Sequence, residues 1–362
     1  MKLILLTLTL QSMAIFYTGS YTQDGSPAET PIGNGIGCFQ LNLETGEIQN
    51  LFYIKQRNPS YLTISADKKY LYAVEEMPEK LNPKVYAYKI EEGGELTLLN
   101  SQKIEGDYAC HLAIIQDRLV LANYVSGNIL SFPIQKDGSL GVCSQNIKHI
   151  GTGPNKVRQE AAHAHMIYPF GKNSMFGVDL TLDIAKAYKL NNISKQWETT
   201  PNLDIKIDDG NGSRHMVMNS NQDFAYILGE LTGEISVADI RDSKSKVIQK
   251  ISFIPDAHAG AIGGAAIRIH PNGKFLYASN RGSDTIAIFK INKESNTLSL
   301  VGHQSTLGKT PRDFNIDKTG KWLIAANQDS NTLIVFKINP NNGMLQETSK
   351  LEANTPVNIC WL

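Results

Sequence analysis

The chain has 362 residues, 41% hydrophobic and 19% charged, with 35 basic against 35 acidic side chains and so no net charge. Such a composition is globular with ample core. A neutral chain has no overall field drawing it to nucleic acid or a membrane surface, so neither is expected as a partner and any affinity for anions has to be local.

In chain order, residues 1–14 stand apart as a signal-like or otherwise separate extension. Met1-Lys2 and the apolar run to Leu10 resemble a short signal segment, with Ser12-Met13-Ala14 resembling a cleavage site. That reading implies a periplasmic or secreted protein; the alternative is a start at Met13. The four cysteines, Cys38, Cys110, Cys143 and Cys360, form no C-x-x-C pair. They read as free thiols in a reducing compartment and favour a cytoplasmic location. The N-terminal run is too short to span a membrane, and no later stretch reaches the ~20 apolar residues a membrane helix needs.

Residues 15–21, 36–43 and 51–55 read as three strands. From Asn58 onward the chain falls into groups of four short β-branched or aromatic runs bounded by Gly, Asn, Asp and Pro. PSYLTISA, KYLYAVEE, KVYAYKI and LLNSQKI are the first group. ACHLAII, RLVLANYV, GNILSFPI and CSQNIKHI follow, then HAHMIYPF, SMFGVDLT, IAKAYKL and NLDIKI. SRHMVMN, FAYILGEL, EISVADI and VIQKISFI make the fourth group. The fifth is the clearest: AAIRIH, the turn Pro271-Asn272-Gly273, FLYAS, TIAIFKI and LSLVGH. PRDFNID, WLIAANQ, TLIVFKI and QETSKLE complete the sixth, and PVNICWL ends the chain as a lone first strand.

First strands begin near residues 59, 110, 163, 213, 265, 311 and 356, a spacing near 50. Four strands at that period are a β-propeller blade. The lone C-terminal strand and the three N-terminal ones complement each other. The expected fold is therefore all-β: one domain over residues 15–362, a seven-bladed propeller of four-stranded antiparallel blades, its ring closed by strands from both termini. A β-sandwich or β-solenoid accounts less well for the even spacing and the complementary ends.

In a four-stranded meander the start of the first strand and the end of the second lie on one face. Sorting polar residues by that rule gathers His163, His165, Arg214, His215 and Arg312 at first-strand starts. Glu75, Glu76, Asn123, Asp179, Glu230, Asn280, Arg281 and Asn327 stand at second-strand ends. Arginines converging with His and Glu on one mouth suggest an anionic ligand held by forked donors. The plainer alternative is ion pairing between blades. His270 precedes a turn at the opposite end of its strand and reads as structural, while His111, His149, His258 and His303 carry no signal. His163 and His165, two apart on a strand, would point to one side and make half a metal site with Asp179, Asp183 or Glu230. No zinc spacing accompanies them, and neither a metal nor a cofactor is expected.

With these residues in place, the chain resembles the seven-bladed propeller lactonases of the 6-phosphogluconolactonase type, related to carboxymuconate-lactonising enzymes. The likeness runs from YTGSYT to the closing strand, through NPSYL, YAVEE, AHAHMIYP, VDLTLD, GSRHMVMN, ILGEL, ASNRG, TPRDFNID and GKWLIAANQ. It implies a hydrolase opening a small anionic sugar lactone, with His163, Glu230, Arg214 and Arg281 as catalytic groups. His165, His215, Arg312, Asp179, Asn327 and Glu76 would contact substrate. His163 would be the base on water, Glu230 its orienting partner or the acid, and an arginine the oxyanion donor, with phosphate held by some of Arg214, Arg281 and Arg312. Two departures stand out: Ser213 where relatives often carry Pro, and Gly229 where they often carry Asn. A muconate-type lactonising enzyme and a non-catalytic scaffold are the competing readings; oligomeric state is not legible.

Overall fold

The computed structural model describes residues 12–242 and 244–362. Seven antiparallel sheets form a closed ring. Blade one is Leu62–Ile64, Tyr70–Val74, Lys84–Ile90 and Leu96–Lys103; blade two starts at Ala109–Ile115, blade three at Ala164–Phe170, blade four at Ser213–Met218, blade five at Gly264–Ile269 and blade six at Pro311–Ile316. Blade seven joins the termini in the order Pro356–Trp361, Met13–Ser20, Ile36–Asn42, Ile48–Ile54. First strands of neighbouring blades touch one another all the way round, so they line the central channel.

Burial follows from that stacking. Second strands such as Phe224–Gly229, Phe275–Asn280 and Trp322–Asn327 are buried along their whole length, because a blade presses on each side. Fourth strands such as Lys246–Ser252 alternate between exposed and half-buried, as a rim strand must. The core is accordingly seven apolar layers, one per blade-to-blade interface. Each interface gains a polar tie where space allows. The hydroxyls of Tyr17, Tyr72, Tyr226 and Tyr277 donate to backbone carbonyls of Gly94, Gly138, Asn296 and Gly343 in the next blade, and Trp322 Nε1 donates to Leu43.

Closure uses both termini, with Tyr17 opposite Cys360 and Phe16 opposite Trp361 on one side, and Tyr17 opposite Cys38 on the other. Two boundaries differ from the sequence reading. Met13 and Ala14 belong to the strand Met13–Ser20, the second of blade seven, paired with Asn42 and Leu41. The signal-like run up to residue 11 lies outside the described residues. The fourth strand of blade three is split into Trp197–Thr199 and Ile205–Lys206, because Pro201 opens a 3-10 turn between them. Among the described residues no helix is long and apolar enough to cross a membrane.

Candidate functional site

Two backbone features build one mouth of the channel. A residue just past each second strand, the next one in six blades and the second one (Glu76) in blade one, donates its N–H to a carbonyl ahead of the first strand of the same blade. The pairs run Tyr21 to Thr355, Glu76 to Asn58, Tyr124 to Tyr108, Leu180 to His163, Glu230 to Gly212, Arg281 to Gly263 and Gln328 to Thr310. Those seven donor residues form the upper ring. Below it, the register slips within the first strand and leaves Cys110, His165, Arg214, Ala265, Ala266, Arg312 and Val357 without a cross-strand partner. A β-bulge re-aims the extra side chain. Here Cys110, Arg214, Arg312 and Val357 line the channel together, with Ser60 from blade one and with Tyr61, His215 and Asp313 beneath. The space left at this depth, ≈ 10 Å³, admits about one water. A larger ligand has no room at this depth.

The mouth is organised around Glu230. Arg158 Nη2 donates to Glu230 Oε1 at 2.5 Å, while Arg214 Nε and Arg281 Nη2 lie 2.9 and 3.1 Å from Oε2. The Arg214 contact is an ion pair and not a hydrogen bond, since its N–H is not aligned on the oxygen. Burial alone would raise the Glu230 pKa, but Arg281, Arg214 and Arg158 together hold it well below the usual carboxylate range. Three guanidiniums on one carboxylate favour its charged form. Arg214, pushed down to about 10 by burial and by the Arg281 cation, still carries its charge at neutral pH. It also donates from Nη1 to the Ala265 carbonyl at 2.6 Å, and Arg281 donates to Gly263 and Gly264.

Arg312 differs. Among the described residues its guanidinium makes no hydrogen bond; its nearest carboxylate oxygen is Glu76 Oε1 at 3.8 Å, and it lies over the Tyr21 ring at 5.2 Å. The other Glu76 oxygen accepts from the Tyr21 hydroxyl at 2.8 Å. Four guanidiniums face Glu76, Glu230 and the half-exposed Glu160, an excess of one positive charge (four minus three) in a chain with none overall.

His163 sits at the rim, before its strand begins. Its ring stacks on Tyr124 at 4.5 Å, Nδ1–H donates to the Tyr124 carbonyl at 2.9 Å, and Nε2 lies 3.1 Å from Glu160 Oε1. His165, the bulged residue, turns instead into the channel, 3.7 Å from Cys110 Sγ. Both rings pack on Tyr124, His163 stacked and His165 edge-on with its centroid at 5.3 Å. Asp179 and Asp183 accept backbone N–H groups, of Thr181 and Leu182 and of Gly210 and Gly212 respectively. Among the described residues no group of three or more His, Cys, Asp or Glu side chains is arranged to hold a metal ion. His111, His165 and His215 form a buried triplet with ring centroids 5.4 to 5.5 Å apart. Burial and the neighbouring Arg214 cation keep all three well below the usual imidazole pKa, hence neutral; Arg268 adds to this at His111.

Of the sequence candidates, His163, His165, Arg214, Glu230, Arg281, Arg312 and Glu76 meet in or beside this mouth, and His215 lies beneath it in the channel. Asp179 and Asn327 do not. They end their second strands one residue short of the ring, where the side chain turns back to the loop. Asp179 accepts from the His163, Thr181 and Leu182 N–H groups and contacts His149 at 2.7 Å; Asn327 donates to Thr306. Their successors, Leu180 and Gln328, occupy the ring. Gly229 holds the same place in blade four, and a Cβ there would lie 1.5 Å from Asn211 Oδ1. Asn211 thus fills the space that an Asn side chain fills in other blades. Glu75 belongs to a separate cleft of about 520 Å³ beside blade seven, closed onto Arg57 at 2.8 Å. Arg158, Tyr124 and Glu160 escaped the sequence reading. They lie in loops or just past a strand, although the loop run VRQEAAHAH carries Arg and Glu directly ahead of His163.

A family described as "Lactonase, 7-bladed beta-propeller" matches residues 15–361. The 6-phosphogluconolactonase of Bacillus subtilis is 35% identical over 312 residues, 84% of this chain and 85% of that one. The protein of the same name from Formosa agariphila is 34% identical over 314 residues, covering 83% and 86%. A crystal structure from Bacteroides fragilis superposes with a TM-score of 0.89 at 33% identity, over 98% of this chain and 99% of its own. The periplasmic gluconolactonase of Pseudomonas aeruginosa has the same TM-score, 0.89, at 24% identity, covering 97% and 99%, and shares the fold.

Proposed function

Because the chain belongs to the seven-bladed β-propeller lactonases, we propose that it hydrolyses the ring ester of a sugar lactone, with 6-phosphogluconolactone as substrate. The substrate lies in the mouth, since the channel beneath is closed by side chains. Water adds to the lactone carbonyl while His163 Nε2 accepts its proton, a role worth ~10²–10⁴-fold. Nδ1–H bonded to the Tyr124 carbonyl leaves Nε2 as the accepting nitrogen once Glu160, 3.1 Å away, gives way to the water. The oxyanion develops against Arg214 and Arg281, which Glu230 holds in place. As the intermediate collapses, the ring C–O bond breaks and the imidazolium returns its proton to the departing sugar oxygen.

The observation that carries the phosphate assignment is the open fork of Arg312. Arg281 is tied to two carbonyls and a carboxylate, whereas Arg312 has no hydrogen bond to displace. A planar fork suits phosphate bidentately. Arg312→Ala should raise KM for 6-phosphogluconolactone at least tenfold and leave unphosphorylated gluconolactone nearly unchanged, with Arg312→Lys recovering only part. Equal losses on both substrates would move Arg312 from the phosphate to the reacting carbonyl.

A further inference from the structure

The segment joining blade two's last strand, Gln145–Lys148, to blade three reaches over the mouth, and a buried residue near its middle, Gln159, fastens it. Gln159 is fully buried. Its Nε2 donates to the Leu180 carbonyl at 2.9 Å and to Asp183 Oδ2 at 2.9 Å, and its Oε1 accepts from the Asn155 N–H at 3.1 Å. Either side of this fastening, Arg158 turns to Glu230 and Glu160 turns to His163. One loop thus delivers a charge to each half of the site.

We propose that Glu160 is the positioning residue of the reaction's base: its carboxylate stands at His163 Nε2 and stabilises the imidazolium formed when that nitrogen takes the proton of the attacking water. This rests on the reading of His163 as the base. The geometry leaves few other candidates. From blade two, Tyr124 offers a carbonyl to Nδ1 and its ring to the imidazole face; from blade three, Asp179 contacts only the His163 backbone N–H. Arg158, the nearest cation of the loop, is held by Glu230 and the Tyr124 hydroxyl. Glu160 is therefore the anion placed to compensate a charge on the ring, and at 53% side-chain exposure it can yield to an incoming water without unfolding anything. The proton moves from water to Nε2 and then to the departing ring oxygen. Glu160 gains and loses none, so its part is electrostatic.

The test is Glu160→Gln, read by kcat and KM separately on 6-phosphogluconolactone. An imidazolium without its anionic partner is less stable, so the loss should fall on kcat, roughly tenfold, while KM holds and the melting temperature does not change. Glu160→Asp should restore part of the loss. A Glu160→Gln protein with the wild-type kcat would overturn the proposal. His163→Ala serves as the reference: full activity there would show instead that the base is elsewhere and bring down the reading beneath it, whereas a dead His163→Ala beside an unaffected Glu160→Gln would sink only the role of Glu160.

Discussion

Glu230 shows how one residue can be indispensable to a site without reacting. Three guanidiniums converge on its carboxylate, and removing it would leave the two mostly buried ones, Arg214 and Arg281, facing each other without their anion. Breaking a buried ion cluster by removing one partner costs ~3–5 kcal/mol. Glu230→Gln should accordingly lower the melting temperature by several degrees as well as activity. The sign with pH follows from the depressed pKa. The stabilisation is fully present above the ordinary carboxylate range and is lost as pH falls through the lower folded value, so the wild-type advantage should be flat from neutral pH to about 5 and shrink below ~4. Thermal melts of both proteins across that range would check it; an advantage that is absent at pH 7 would contradict the cluster's structural role. At this scale the sequence was legible where residue type and blade position coincide, as for Arg214, Arg281 and Arg312. It failed by one residue at Asp179 and Asn327, because a strand's last side chain and the next one face opposite ways. It failed at Arg158 and Glu160 because loops obey no period.

Among the elements, the bulged first strands matter most. Strand existence was readable from β-branched runs and turn residues, but a bulge leaves no such trace, and it decides that His165, Arg214 and Arg312 enter the channel. The slip at Arg214 and the tie from Glu230 N–H to Gly212 set the height at which the ion cluster forms. The element most exposed to test is Pro356–Trp361, which pairs only with Met13–Ser20 in its sheet, while Asn358 bonds Asp313 of blade six at 2.9 Å. Deleting residues 356–362 would open a sheet edge and strip the first strand from blade seven. The truncated protein should melt well below wild type and expose apolar surface to dye. A truncated protein that melts cooperatively at the wild-type temperature would mean that the ring does not depend on this closure.

For the whole molecule, a seven-fold backbone pattern presents seven equivalent positions, and the sequence makes them unequal. Tyr21, Glu76, Tyr124, Leu180, Glu230, Arg281 and Gln328 share one hydrogen-bonding geometry and differ in chemistry. Cation excess gathers in one mouth of a chain that is neutral overall, which suits a small anion and gives no reason to bind a polyanion. The central claim is that this mouth opens a phosphorylated sugar lactone with His163 as base. The most direct measurement is ring opening of 6-phosphogluconolactone above its spontaneous hydrolysis, by wild type and by His163→Ala at equal concentration. Wild type is expected to exceed the background clearly, and folded His163→Ala to fall by ~10²–10⁴-fold in kcat. Wild type no faster than the background, or His163→Ala as fast as wild type, would contradict it.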